Sequence, residues 1–323
     1  MKQIWQLIMV GLVMLGLASA NVLADYPERP VRIVVPFTAG GFTGSVAQII
    51  ADELTRSFKR SFVLDYKPGA GGNIAGELVA RSTADGYTLL LTSPSTIAIN
   101  PHVYKDLGFN PVRDFEHVTI FGHTAYVLVV NTDVPARNVG ELVRHSLSKP
   151  GQLNYASGGA GTVTHLAAEM FLNRTGTKMV HVPYKGTPPA ITDLLGGRVE
   201  MMFDSITSST PHVKAGKLRA LAVSSLARDR ALPDVPTMAE SGYPGFEAVA
   251  WAGIAAPAGT KAEIVDALQK EIDRALRRPD VVERLNSIGV HVVLRTSGET
   301  RKYIDGEFVK WGEVVRSGNI KIQ

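Results

Sequence analysis

Residues 31–54 read VRIVVPFTAGGFTGSVAQIIADEL, and no other stretch limits the possible folds as tightly. Val31, Ile33, Val34 and Val35 form a nearly continuous apolar run, the pattern of a strand buried on both faces of a parallel sheet. Pro36 ends the run. Three glycines and two threonines follow between Thr38 and Gly44. Beyond them Val46, Ile49, Ile50 and Leu54 recur at the spacing of an amphipathic helix. A strand, a glycine turn and a helix in that order leave the first N–H groups of the helix without internal partners. They point outward at the carboxyl end of the strand, with the positive end of the helix dipole behind them. Such a turn suits an anion.

The pattern returns at residues 153–174, LNYASGGAGTVTHLAAEMFLNR, where Gly158, Gly159 and Gly161 make the turn and Val163, Leu166, Ala167, Met170 and Phe171 share a helix face. Two such turns predict two jaws around one cleft.

The first 24 residues carry one charge, Lys2, then an apolar segment from Leu7 to Leu17 and small residues near Ala20. They read as an export signal cut after Ala20 or Ala24, too short in its apolar run for a membrane span. Removal leaves roughly 300 residues, a length that favours two domains. The chain has no cysteine, which excludes disulfides and a lipidated cysteine anchor. With 34 basic and 30 acidic residues it shows no basic run that would track nucleic acid, so none is expected as a partner.

Further strands are expected over 62–66 and 87–91, the second ending in Thr92-Ser93-Pro94-Ser95-Thr96. In open parallel sheets ligands collect at that end. Ser95 and Thr96 read equally as ligand contacts or as caps of the helix over 97–103. Strands over 115–121 and 126–131 are expected to be joined by Gly122 to Ala125.

Several longer segments carry a resemblance. They are Ala39-Gly40-Gly41 after Pro36-Phe37, KPGAGGN over 67–73, DGYTLL over 85–90, NYASGGAGTVTHLAAEMF over 154–171, VPYKGTPPAITDLLGG over 182–197, and PHVKAGKLRALAV over 211–223. In order and over nearly the whole chain, these resemble the Bug-type substrate-binding proteins of tripartite tricarboxylate transporters. The resemblance implies a periplasmic α/β protein of two lobes, a type II-like Venus flytrap with a mainly parallel sheet flanked by helices in each lobe. It implies a monomer that binds a small carboxylate and hands it to inner-membrane permease subunits. The chain departs from the family at Gly44 and Gln48, where an aspartate and an arginine are common.

The expected layout is a signal at 1–24, one lobe from 25–124 with 248–323, and a second lobe at 125–247. Candidate contacts are Phe37, Thr38, Gly40, Gly41, Phe42 and Thr43 on the first turn and Ser93 and Ser95 after the third strand. Ser157, Gly158, Gly161, Thr162 and His165 stand on the second turn, and Asp204 at the end of the strand over 199–203. His165 reads either as an anion donor or as a packed helix residue. Asp204 reads as a ligand acceptor, a helix cap or both. Lys185 is either an anion contact or solvated.

Catalysis finds little support. There is no nucleophile elbow, no phosphate-binding GxxxxGK and no cysteine, and Gly158 to Gly161 lack the third glycine of a dinucleotide fingerprint. A Ser157–His165–Asp204 trio can be picked, as some trio always can. The histidines are scattered away from metal spacing. The reading is therefore a receptor with no cofactor and no metal. The alternatives are a receptor that presents its ligand to a membrane sensor and a periplasmic enzyme acting on small carboxylates.

Overall fold

The computed structural model describes residues 26–317 and 320. The expected signal segment lies outside the described residues. Strands β1 (Val31–Val35), β2 (Phe62–Tyr66) and β3 (Thr88–Thr92) pair in parallel with β1 in the middle. Strand β9 (Val249–Pro257) adds antiparallel to β3. In the other half β5 (Asn154–Ser157) lies parallel between β6 (Val180–Pro183) and β7 (Met201–Ser205). The two halves share β4 (Phe115–Asn131), which gives the sheet order β2-β1-β3-β9-β4-β7-β5-β6. Strands β8 (Leu218–Val223) and β10 (His291–Val292) also pair with β4.

The run from Phe115 to Asn131 was expected as two strands and is one. Its partner changes instead: up to Ala125 it pairs with β9, and from Tyr126 it pairs with β7. Gly122 does not break it because Val290 of the neighbouring segment fills the space a side chain would take, 2.8 Å from a Cβ there.

Both faces of each half-sheet are covered, as the apolar runs require. Ile33 and Val35 join one core with α1 (Phe42–Phe58), while Val34 between them joins the opposite core with Val79 of α2 (Asn73–Ala80). The same alternation separates Leu128 and Val130 from Val127 and Val129. A short π-helical turn, Ser95–Ile99, leads into α3 (Asn100–Val103). The second half carries α4 (Val139–Ser148), α5 (Val163–Thr175), α6 (Thr187–Leu195) and α7 (Ile206–Lys214). The chain then returns through α8 (Ala262–Leu276), α9 (Pro279–Ser287) and α10 (Ser297–Ser317). Helix α10 is capped by Thr296. The Thr296 Oγ1 accepts from Glu299 N at 3.2 Å and Glu299 Oε2 accepts from Thr296 N at 2.8 Å, a complete capping box.

Candidate functional site

Five strand ends converge where the halves face each other, each followed by a helix start: β1 to α1, β3 to the turn at Ser95, β5 to α5, β6 to α6, and β7 to α7. They enclose a cavity of about 60 Å³. A water needs about 10–15 Å³ on this measure, so the closed space suits a small solute and excludes a peptide or a nucleotide. The first half supplies Phe37, Thr38, Gly41, Phe42, Thr43, Ser93, Pro94 and Ser95, with Ala250 and Trp251 from β9. The second half supplies Tyr126, Gly158, Thr162, Val163, Thr164, Gly186, Thr187 and Ser205. Apart from the Tyr126 phenol, which burial pushes far up and keeps neutral, nothing on this wall ionises.

The halves touch across the cavity rim. Tyr104 Oη donates to the Ala160 carbonyl at 3.1 Å. Gly186, at φ +122°, brings its backbone so near the first turn that a Cβ would lie 2.3 Å from Thr38 Oγ1. Only glycine permits that approach.

The two glycine turns differ in what they offer. On the first, Gly41 begins α1 without a side-chain cap, and no hydrogen-bond partner among the described residues takes the N–H groups of Phe42, Thr43 and Gly44. Thr38 Oγ1 is shielded from solvent and equally unpartnered. On the second, the loop N–H groups turn inward. Gly158 N donates to Thr164 Oγ1 at 2.9 Å, Gly159 N to Ser157 Oγ at 3.2 Å, and Gly161 N to His165 Nδ1 at 3.3 Å. The Thr162 hydroxyl caps α5. What this turn presents to the cavity is Gly158, Thr162 and the start of α5 at Val163 and Thr164, whose N–H groups have no partner among the described residues.

Nine of the predicted contacts therefore line the cavity: Phe37, Thr38, Gly41, Phe42, Thr43, Ser93, Ser95, Gly158 and Thr162. Ser157, Gly161, His165 and Asp204 are buried behind the wall, and Gly40 is exposed, facing Pro188. His165 stacks on His181 at 4.1 Å and 7°, and His181 stacks on Tyr155 at 4.8 Å and 12°. Burial pushes the imidazoles down to about 3 and about 4, with His181 adding to the effect on His165, so both are neutral near pH 7. A neutral Nδ1 is what the Gly161 N–H requires. Ser157 Oγ pairs with His181 Nε2 at 2.6 Å, and Asp204 Oδ2 accepts from Ser209 Oγ at 2.7 Å, so Ser157, His165 and Asp204 form no relay. The cap of α7 is Ser205, not Asp204. Lys185 is exposed and away from the cavity. Gly44 does not line it either; a Cβ there would meet Ala39 Cα at 3.2 Å, and Gln48 on the outer face donates to Asp52 at 2.8 Å. Among the described residues no group of three or more His, Asp or Glu could hold a metal ion.

Sequence reasoning missed the walls that come from tertiary crossings. Tyr126, Ala250 and Trp251 lie on strands whose patterns show only burial. Trp251 is held by Glu307 of α10, whose Oε2 accepts from the indoles of Trp251 and Trp311 at 3.0 Å each. Gly186 and Thr187 did carry a signal, the strand–glycine–helix order of VPYKGTPP, which repeats the logic of the other two turns.

The match to known proteins is broad. The family model of the tripartite tricarboxylate transporter family receptor matches residues 46–320. Protein BugT of Bordetella pertussis is 37% identical over 307 residues, 94% of each chain. A solved structure of R. palustris Rpa4515 with adipate is 35% identical with a TM-score of 0.90, over 92% of this chain and 100% of that one. MatC of Rhodopseudomonas palustris with bound malate is 32% identical with a TM-score of 0.86, over 90% and 99%.

Proposed function

The chain belongs to the tripartite tricarboxylate transporter receptor family, and from that premise we propose that it captures a small carboxylate between its halves for uptake by the permease subunits of such a transporter. The observation that carries this is the cavity itself: helix starts from both halves, unpaired N–H and hydroxyl donors, and no ionisable side chain other than a neutral phenol. Donors of this kind hold an anion without a counter-cation. Relatives with bound adipate and malate support the same chemistry.

The lobes are taken as 25–124 with 248–323, and 125–247. The change of β4's partner at Ala125 and Tyr126, and the start of β9 at Val249, support a hinge made of two crossing segments. A carboxylate first meets the turn of α1, and the second lobe closes on it because the ligand binds the closed form better. Each hydrogen bond to a charged group contributes roughly 1.5–3 kcal/mol, so about four of them reach the ~8 kcal/mol of micromolar binding after ordering costs. The fourteen predicted contacts divide accordingly into nine cavity-lining residues, four that brace them from behind, and Gly40 on the surface. The protein acts as an exported monomeric receptor after removal of 1–24, without cofactor, metal or catalysis; no described helix is long and apolar enough to cross a membrane.

A thermal-shift screen of the mature protein against mono-, di- and tricarboxylates, aromatic acids and amino acids tests this. A ligand at a hundred times its Kd adds about 2.7 kcal/mol of stability, roughly 5 °C for a chain of this length. The ligand must be recovered chemically unchanged. Stability indifferent to every acid, or consumption of the acid, contradicts the reading.

A further inference from the structure

Asp204 sits immediately behind the cavity, packed against its wall residues Tyr126, Thr187 and Ser205. Its carboxyl is completely buried. One oxygen accepts from Ser209 Oγ, and the other, Oδ1, has no hydrogen-bond partner. The elements around it bring no counter-charge. From β4 comes the neutral Tyr126 phenol, from α6 the Thr187 hydroxyl, from α7 the Ser209 hydroxyl, and from β7 itself the Ser205 N–H. Strand β5 pairs with β7 no further along than Met202. A carboxylate held in this cavity would thus share a dry region with a second carboxyl, one side chain away and without a cation between them. Two like charges so placed cannot both persist, and the proton goes to the one that solvent does not reach.

We propose that Asp204 is protonated in the closed, occupied receptor, so that capture of a carboxylate takes up one proton; this rests on the carboxylate reading of the same cavity. The proton has a structural use. A neutral Asp204 donates to the Thr187 hydroxyl, and Thr187 then turns its own proton toward the ligand. Burial already pushes the carboxyl up to about 7 before any ligand arrives, with the Ser209 hydrogen bond and the nearby Ser205 N–H and Thr187 hydroxyl dipoles offsetting only part of it, and an anion in the cavity adds in the same direction. Uptake should therefore be largest above pH 7 and vanish well below it.

The test is calorimetry on the mature wild-type protein with the tightest binder among acetate, benzoate, malate, adipate and citrate. Titrations run in HEPES and in Tris at pH 8, and in MES and in piperazine at pH 5.5. The expected result at pH 8 is a buffer-dependent heat equal to uptake of between one half and one proton, with none at pH 5.5. Affinity should fall by up to tenfold per pH unit from pH 7 to pH 9. In Asp204→Asn the buffer dependence should disappear and affinity at pH 8 should rise toward the wild-type value at pH 5.5. Tight binding with no proton uptake at pH 8 overturns the inference and leaves the carboxylate reading standing. Uptake confined to pH 5.5 would implicate the His165–His181 pair and also overturns it, as does uptake that persists in a folded Asp204→Asn protein. Silence from all five acids overturns the carboxylate reading and the inference together.

Discussion

The turn after β1 and the turn after β5 share a sequence pattern and differ in what they do. The first leaves the N–H groups of Phe42, Thr43 and Gly44 without a partner among the described residues, and Phe42 and Thr43 line the cavity. The second spends those of Gly158, Gly159 and Gly161 on Thr164, Ser157 and His165, and backs them with a stack of three rings. A glycine turn before a helix is therefore not by itself an anion cradle. Side chains in the following helix decide whether its backbone donors face outward. Thr164 and His165 tie down the loop of the second turn, whereas Thr43 and Gly44, at the corresponding places on the first, make no such bond.

Substitutions that act on only one turn break this comparison. The largest effect should come from Gly41→Val. A Cβ at Gly41 already meets Thr187 Oγ1 at 3.1 Å, so a branched side chain wedges the lobes apart over the open donors. Affinity should drop at least hundredfold, about 2.7 kcal/mol, with the unfolding midpoint of the free protein nearly unchanged in a urea titration. On the braced turn the order of effects reverses. His165→Ala removes a buried ring and orphans the Gly161 N–H, and should cost about 2–4 kcal/mol of stability by urea unfolding, with weaker binding as the secondary result.

A pH series separates the turns further. The imidazoles of His165 and His181 sit below their ordinary value of 6.5 in the folded protein, so the unfolded chain binds more protons between about pH 4 and 6.5. Their contribution is complete above pH 6.5 and is lost as pH falls through about 4. Asp204 has the opposite sign, since its raised value makes stability fall between about pH 4 and 7. Urea midpoints across that range should rise more steeply with pH in Asp204→Asn and less steeply in His165→Ala. The smallest effect belongs to Gln48→Ala, which removes one exposed amide contact to Asp52 and should stay within about 0.5 kcal/mol in stability, with no change in affinity by calorimetry.

Much of the frame was legible because its signals are local. Val31 to Val35 announce a doubly buried strand, and the strand–glycine–helix order marks both turns in the sequence alone. The burial of β4 was legible too, but not its continuity, because Gly122 to Ala125 read as a connection between two strands until Val290 fills the space beside Gly122. Within the site, the residues of the first glycine turn were found, those at Gly186 and Thr187 were not despite their signal, and residues on the crossing strands carried no signal at all. Trp251 owes its place to Glu307, 56 positions later in the chain, a pairing that no local pattern encodes. His165 shows the opposite failing: a polar residue in the first turn of a helix invites an anion, and only the ring of His181 beside it reveals that it holds the loop from within.

The account turns on which backbone donors meet the ligand, and amide hydrogen exchange followed by NMR, with and without the tightest-binding acid, measures that directly. The prediction is that the amides of Phe42, Thr43 and Gly44 exchange readily in the free protein and become protected on binding, while those of Gly158, Gly159 and Gly161 are protected in both states. Protection gained at Gly158 to Gly161, with Phe42 to Gly44 unaffected, would contradict it.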